Sequence, residues 1–326
     1  MATLETTFAG LKLRNPIIVS SSGLTDSAAK NQKLSEAGAG AIVLKSLFEE
    51  QIMMEADWMG DPNMYPEGSD YLVGYIREHK LGEYLNLIKE SKKVCNIPII
   101  ASINCYQNAD WVEFAAKIEE AGADALEINI LALQTDVQYA YGSFEQRHID
   151  ILSHIKKTVK IPVIMKLGDN LTNPIALIDQ LYANGAAAVV LFNRFYQPDI
   201  QIDNQTFTTA NVMSSPSELS DRIRWTAIAS AEVPQLDYAV SGGVHNGKGV
   251  IKSLLSGAAA VEICSVIYQH GNQMIEEMKK ELAEWMNDKG YDSIAQFKGK
   301  MNASAAGDIN PFERTQFMKY YSNHEE

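Results

Sequence analysis

A short pattern recurs four times along the 326-residue chain: an amphipathic stretch, a glycine, small residues, a brief apolar run and then a polar residue. The glycine is typical of a left-handed helix C-cap, and the apolar run is typical of a buried parallel strand. Repetition of a helix–glycine–strand unit predicts a closed (β/α)8 barrel, the TIM-barrel class of α/β fold. The four copies end at Lys45, Asn129, Asn193 and Ser265.

Four further apolar runs bring the predicted number of strands to eight. They are Pro16–Val19, Ile97–Ala101, Ile161–Met165 and Leu236–Val240. Amphipathic helices are expected between most of the strands. Their ranges are Asp110–Ala121, Phe144–Thr158, Asn173–Ala183 and Ser217–Ala229. Because no linker or low-complexity tract interrupts the pattern, residues 1–326 are predicted to form a single domain.

The chain is longer than the roughly 250 residues that a barrel of this class needs, which indicates insertions. Leu47–Lys80 and Phe195–Ser215 each follow a predicted strand, so both belong to the mouth of the barrel. There they either cover a ligand or decorate the surface. The second insertion is predicted to contain a small β-hairpin. Before the first strand, Thr7–Asn15 is predicted to form a hairpin that closes the barrel bottom.

Composition excludes several classes of protein. The chain is 46% hydrophobic and 21% charged, as in ordinary globular proteins. It has neither an apolar run of about 18 residues nor a signal-peptide pattern, so we expect no membrane association. A net charge of −13 opposes nonspecific nucleic-acid binding. Three unpaired cysteines fit a reducing cytoplasm and exclude a cysteine-ligated iron–sulfur cluster, and six scattered histidines predict no metal site.

The residues that follow barrel strands face the active site, so the polar ends of the repeats are candidate site residues. The most specific local pattern is Ser241-Gly242-Gly243-Val244, where two glycines let backbone N–H groups approach a phosphate. Cys264 and Ser265 close the last strand beside it, with a helix expected near Asn272. The alternative is a tight turn that requires glycine for its own geometry.

Two lysines, Lys45 and Lys166, each end an apolar run and place ammonium groups at the mouth. Lys166 either forms a Schiff base or stabilises negative charge on a cofactor ring, and a solvated strand end is the alternative for both. Asn129 and Asn193 offer amide donors and acceptors without acid–base capacity. They suit recognition of an imide or a carboxylate on a small-molecule substrate.

At these residues the chain resembles the dihydroorotate dehydrogenases, specifically the soluble class 1 branch. The resemblance covers nearly the whole length. It includes Ser21-Ser22-Gly23, Lys45-Ser46, Glu127-Ile128-Asn129, Met165-Lys166-Leu167, Gly242–Gly247 and the tail Lys289–Lys300. It implies an FMN-dependent dehydrogenase that oxidises dihydroorotate to orotate in pyrimidine biosynthesis. It also implies a cytoplasmic homodimer, with fumarate as the electron acceptor.

The resemblance assigns roles by position. Ser21, Ser22, Gly23, Lys45 and Ser46 would lie against the flavin. Lys166 would face the flavin edge that gathers negative charge on reduction. The phosphate would be held by Gly242, Gly243, Cys264 and Ser265.

The chain departs from the family pattern in the substrate half. The family's cysteine or serine base follows the fourth strand, and here that position is Ala132, which cannot accept a proton. Arg194 follows Asn193, where the family has serine or threonine. Three functions therefore remain open: a dehydrogenase or related flavin reductase with an altered substrate, a flavin-binding protein without turnover, and a Schiff-base lyase using Lys166. If a hydroxyl replaces the base, the candidates are Thr135, Tyr139, Tyr141 and Ser143.

Overall fold

The computed structural model describes residues 2–48, 66–104 and 111–305. Its strands, in chain order, are β1 (Thr6–Phe8), β2 (Leu11–Leu13), β3 (Ile17–Val19), β4 (Ala41–Val43), β5 (Leu47–Phe48), β6 (Ile99–Asn104), β7 (Ala125–Asn129), β8 (Val163–Gly168), β9 (Ala188–Asn193), β10 (Pro198–Gln201), β11 (Thr206–Thr209), β12 (Asp237–Ser241) and β13 (Ala260–Ile263).

The helices alternate with these strands. In chain order they are α1 (Ala28–Glu36), α2 (Pro66–Val94), α3 (Trp111–Glu120), α4 (Ser143–Lys156), α5 (Pro174–Ala183), α6 (Leu219–Glu232), α7 (Gly247–Leu255), α8 (Ser265–His270) and α9 (Gln273–Lys289). Among the described residues, no helix is both long and apolar enough to cross a membrane.

Eight parallel strands form a closed barrel, which confirms the predicted fold. Their order around the ring is β4-β3-β13-β12-β9-β8-β7-β6, and pairing of β4 with β6 closes it. The glycine of each repeat has a positive φ, between 89° at Gly185 and 115° at Gly257. After Gly38, the N–H of Ala39 donates to the carbonyl of Leu34 at 3.2 Å, the bond expected of a Schellman cap.

The predicted N-terminal hairpin closes the bottom of the barrel. β1 pairs antiparallel with β2, and Phe8 and Leu13 are buried. They pack on Ala41, Ala125 and Ala188, which begin their barrel strands. Complete burial of a side chain such as Phe8 contributes about 1.5–3 kcal/mol, so the hairpin stabilises the end of the barrel opposite the mouth.

Inside the barrel, side chains change character along each strand because inward-facing residues alternate. Ala125, Ile164 and Ala260 belong to the apolar cluster near the bottom. Two residues further along β7, β8 and β13, the same faces carry Glu127, Lys166 and Glu262. The barrel therefore has an apolar lower half and a charged layer below the mouth.

Three local expectations are confirmed or corrected. The hairpin of the second insertion is present as β10 paired antiparallel with β11. Lys166 lies within β8 rather than after it, because the strand continues to Gly168. A short helix, α8, follows Cys264 directly, and the helix expected near Asn272 is α9. In the first insertion, residues 49–65 lie outside the described residues.

Candidate active site

Two adjoining cavities open at the carboxyl ends of the barrel strands. Their volumes are about 490 Å³ and about 130 Å³. Both are lined by Ser21, Lys166, Asn193, Arg194, Tyr196, Val212, Cys264 and Ser265. Every residue predicted to bind the cofactor or the substrate lines at least one of them. Ser22, Gly23, Lys45, Ser46 and Asn129 line the larger cavity, and Gly242 and Gly243 line the smaller one.

The smaller cavity has the features of an anion cradle. Gly242 and Gly243 have φ values of 95° and 80°, a conformation that favours glycine. A Cβ on Gly243 would lie 2.4 Å from the backbone nitrogen of Leu219, so the loop cannot accept another residue without moving. The Ser265 hydroxyl also lies there and accepts a hydrogen bond from the N–H of Ser214 at 2.9 Å.

A buried arginine, which the sequence analysis missed, lies behind this cradle. The Arg222 side chain is 8% exposed and contacts Asp169 and Asp221 at 3.4 Å. Its Nε has no hydrogen-bond partner among the described residues and lies 3.3 Å from the Cβ position of Gly242. This orphaned donor and the adjacent glycines match the needs of a phosphate group. No motif in the sequence marks Arg222, because its position depends on how α6 packs against the barrel.

Lys166 occupies the floor between the cavities and is paired with two carboxyl groups. Its Nζ lies 2.5 Å from Glu262 Oε2, 3.0 Å from Ser20 Oγ and 3.6 Å from Glu127 Oε1. Lys166, Glu127 and Glu262 are 5%, 1% and 2% exposed. The two glutamates were missed as site residues, although a charged residue within an otherwise apolar strand was the available signal.

The charged groups in this cluster shift one another's pKa values. Burial alone would lower the pKa of Lys166, but Glu127 and Glu262 outweigh it and raise that pKa above its ordinary value. Burial would raise the pKa of Glu262, yet Lys166 and its hydrogen bonds bring it below the usual range. Burial and the charge of Glu262 raise the pKa of Glu127 well above normal. Lys166 is therefore an ammonium ion at neutral pH, which opposes its use as a Schiff-base nucleophile.

The asparagines predicted to bind substrate are adjacent in the larger cavity. Asn193 Nδ2 donates to Asn129 Oδ1 at 3.0 Å, and Asn104, which ends β6, lines the same cavity. Arg194 is fixed by Glu218, 3.1 Å from its Nε, and by the Val212 carbonyl, 2.7 Å from its Nη1. Lys45 is exposed at the rim, unlike Lys166.

The loop after β7, residues 130–142, does not provide a replacement base. Ala132 is half-buried, its carbonyl accepts a hydrogen bond from Asn170 at 2.9 Å, and it lines neither cavity. The hydroxyl of Tyr139 donates to Glu145, and Tyr141 is 99% exposed. Neither cavity is lined by any of the four hydroxyl candidates, which are Thr135, Tyr139, Tyr141 and Ser143.

Within the described ranges, no group of three or more histidine, cysteine, aspartate or glutamate side chains is arranged to hold a metal ion. The polar groups that line the cavities include the Lys166 ammonium, the Arg194 guanidinium, two carboxyl groups, the Cys264 thiol, amides and hydroxyls. Such groups can bind an anion or a polar ring through hydrogen bonds.

Comparison with known proteins agrees with this architecture. A protein-family model described as "Dihydroorotate dehydrogenase" matches residues 3–286. The chain belongs to the dihydroorotate dehydrogenase family. Members of this family are oxidoreductases that act on CH–CH bonds, and the class 1 branch inferred from the sequence is confirmed.

Curated members of the family align over most of this chain. The catalytic subunit of dihydroorotate dehydrogenase B (NAD(+)) from Thermoplasma volcanium is 30% identical, covering 92% of this chain and 98% of the relative. The corresponding subunit from Thermoplasma acidophilum is 25% identical, with 92% and 99% covered. The NAD-dependent dihydropyrimidine dehydrogenase subunit PreA of Escherichia coli K12 is 25% identical, with 92% and 77% covered. These names point to NAD and to partner subunits rather than to fumarate, the acceptor implied by the resemblance.

Proposed function

We propose that the protein is an FMN-dependent oxidoreductase that exchanges electrons with NAD through a partner subunit. Its substrate is a small ring compound with an activated carbon–carbon bond, and dihydroorotate is oxidised only slowly. The observation that carries this proposal is the pair of joined cavities. One contains an anion cradle, and the other contains amide side chains, while Ala132, at the position of the loop base, lines neither cavity.

The residues of the two cavities fit FMN. The phosphate would be held by the N–H groups of Gly242 and Gly243 and by Ser265, with Arg222 adding positive charge behind them. Ser21, Ser22 and Gly23 line the larger cavity, where a flat ring system would lie. Bound FMN would supply hydride transfer, the chemistry that the protein side chains lack. Lys166 places an ammonium group, paired with Glu262, on the floor of both cavities.

The larger cavity favours a planar polar substrate. Asn104, Asn129 and Asn193 present both amide donors and acceptors, which pair with the N–H and C=O groups of an imide ring. Arg194 carries positive charge at the junction of the cavities. The E. coli relative is named for dihydropyrimidines, which are rings of this kind. Removal of a positioned base costs about 10²–10⁴ in rate, so Ala132 predicts slow oxidation of dihydroorotate.

The test combines FMN binding with stopped-flow reduction of the bound flavin. The purified protein should bind FMN and quench its fluorescence. Dihydroorotate should then reduce it slowly, and a dihydropyrimidine without the carboxylate should be compared in parallel. Ala132→Cys should speed reduction by about 10², while Ala132→Val, which adds bulk without a proton acceptor, should not. Failure to bind FMN in a folded protein would contradict the proposal, as would fast dihydroorotate oxidation by the unaltered chain.

The partner proposal has a separate test. The chain alone should be reduced slowly by NADH, and addition of a partner subunit that oxidises NADH should accelerate the reaction. Fumarate should not reoxidise the reduced protein efficiently. Fast reoxidation by fumarate would instead support fumarate as the electron acceptor, as the sequence resemblance implies.

A second candidate, a flavin-binding protein without turnover, is favoured by Ala132 and by the exposed loop around it. It predicts tight FMN binding with no reduction by either ring substrate, both before and after Ala132→Cys. The lyase candidate is disfavoured because Lys166 is held as an ammonium ion by Glu262. Borohydride with a carbonyl substrate should therefore trap no adduct at this lysine.

A further inference from the structure

Two buried carboxyl groups below the mouth share a single lysine. Glu127 and Glu262 lie 3.6 Å and 2.5 Å from Lys166 Nζ, so one buried ammonium faces two buried carboxyl groups. Two ionised carboxylates would leave one negative charge uncompensated there, which is costly unless one carboxyl group carries a proton. The cluster therefore contains one proton more than a lysine and two ionised glutamates would.

The geometry places this proton on Glu127. Glu262 Oε2 accepts from Lys166 at 2.5 Å and from Ser20 at 2.9 Å, which stabilises an anion. Glu127 Oε1 is 3.6 Å from Lys166 and 3.5 Å from the hydroxyl of Ser102, and both contacts are long. Its Oε2 is buried and accepts no hydrogen bond within the described part of the chain. An ionised group in that position would be costly, whereas a protonated one carries no charge.

Glu127 lines the floor of the larger cavity but is only 1% exposed, and a chain of hydroxyl groups leads from it to Ser21. Ser102 Oγ lies 2.8 Å from Ser46 Oγ, which lies 3.0 Å from Ser21 Oγ. Either oxygen can be the donor in both pairs, and a serine hydroxyl accepts one proton while it gives up another. Ser46 lines the larger cavity, and Ser21 lines both.

We propose that Glu127 is the proton store of the site and exchanges its proton with the mouth through Ser102, Ser46 and Ser21. The inference rests on the proposed function, since it provides the acid–base capacity that Ala132 lacks. On release, Glu127 becomes a carboxylate and each serine passes on one proton as it receives one. An acceptor atom in the cavity takes the last proton, and no electrons move along the chain. Uptake reverses these steps.

The charged and titratable groups around Glu127 are consistent with this role. Lys166 from β8 and Glu262 from β13 cancel one another's charge, and Cys264 lies near Lys166. Tyr84 from α2 contacts the backbone of Ser102, and burial raises its pKa. Burial and Glu262 likewise raise the pKa of Glu127, with Lys166 opposing them. After release, the nearby ammonium of Lys166 stabilises the new carboxylate.

The first test is infrared spectroscopy of the full chain, with and without FMN. A carbonyl band of a buried carboxylic acid should be present at neutral pH and lost in Glu127→Gln. Glu262→Gln should also remove it, because Glu127 would then ionise as the sole partner of Lys166. Persistence of the acid band in both variants, or its absence from the unaltered protein, would overturn the proposal.

The second test identifies the path. Transfer into deuterium oxide should shift the acid band, and Ser102→Ala should slow that shift by about tenfold or more, equivalent to about 1.4 kcal/mol. Ser20→Ala removes the hydroxyl beside Glu262 and is the matched control, with no slowing expected. Slowing in Ser20→Ala but not in Ser102→Ala would place the proton on Glu262. Equal exchange rates in the two variants would contradict the path through the serines.

These measurements need no turnover, so they separate this inference from the proposed function. A protein that fails to bind FMN but shows the acid band contradicts only the oxidoreductase proposal. A protein that binds FMN and turns over but lacks the band contradicts only the role of Glu127.

Discussion

The floor of the mouth and the 130–142 loop differ in how far their side chains are buried. The floor, formed by Lys166, Glu127 and Glu262, projects from barrel strands, is at least 95% buried and contains the 2.5 Å hydrogen bond from Lys166 to Glu262. In the 130–142 loop, Val137 and Tyr141 are 99% exposed. Strand register fixes a side chain through many neighbours, whereas a loop does so through few. The buried floor is therefore set by strand register, whereas the 130–142 loop can change at little cost to stability.

The sharpest test of this comparison uses the two lysines of the mouth. Lys166→Met leaves two buried carboxyl groups without their cation, and breaking a buried ion pair costs about 3–5 kcal/mol. Denaturant unfolding at neutral pH should show that loss. Lys45→Met, at the exposed rim, should change the free energy of unfolding by less than about 0.5 kcal/mol. Equal effects would show that the floor is no more constrained than the rim.

The next prediction concerns pH. The folded-state pKa of Glu127 lies above its unfolded value, so between the two the folded protein holds one extra proton. Stability from this group is then lost as pH rises, by about 1.4 kcal/mol per pH unit, until the folded pKa is passed. Glu262 has a lowered folded-state pKa, so the stability that it contributes is lost as pH falls, and only in acid. Lys166, with its raised pKa, loses its contribution only in strong alkali.

Glu127→Gln should abolish this slope. Unfolding curves between about pH 5 and 8 should show the variant gaining stability relative to the unaltered protein as pH rises. Glu120→Gln, which removes an exposed carboxylate, is the control and should run parallel to the unaltered protein. Parallel curves for Glu127→Gln as well would mean that Glu127 is ionised in the folded state.

The sequence predicted the barrel well because its repeat unit is local. A glycine after a helix and an alanine-rich strand indicate the same geometry at Gly38, Gly122, Gly185 and Gly257. Gly242 and Gly243 were identified for the same reason, since their backbone conformation depends on adjacent residues. Arg222 was missed because its place beside Gly242 arises from packing between distant parts of the chain.

The charged floor shows a second limit of prediction from sequence, which concerns contacts between residues far apart in the chain. Glu127 and Glu262 are 135 residues apart in sequence, and only closure of the barrel brings them to one lysine. Lys166 was identified, but it was placed at a strand end because the length of β8 was underestimated. Alternation along the strands would have placed all three side chains inside, since each lies two residues after an inward apolar residue.

A third prediction compares two glycines with similar backbone conformations. Gly243→Ala introduces a Cβ 2.4 Å from Leu219 N at φ 80°, whereas a Cβ on Gly122, at φ 95°, meets nothing within 4 Å. Both substitutions should cost about 1–3 kcal/mol from strain. Only Gly243→Ala should also weaken FMN binding, by about tenfold or more, because the anion cradle must move. Fluorescence titration measures this, and equal affinities would remove Gly243 from the phosphate site.

The smallest effect is expected in the exposed loop. Tyr141→Ala removes a large side chain that is 99% exposed, so the free energy of unfolding should change by less than about 0.5 kcal/mol. FMN affinity should also stay the same, because Tyr141 lines neither cavity. If the loop closes over the substrate, the KM for a dihydropyrimidine should rise while these two quantities remain fixed. A fall in stability or FMN affinity would show that the loop packs on the floor, and the contrast between the two regions would then fail.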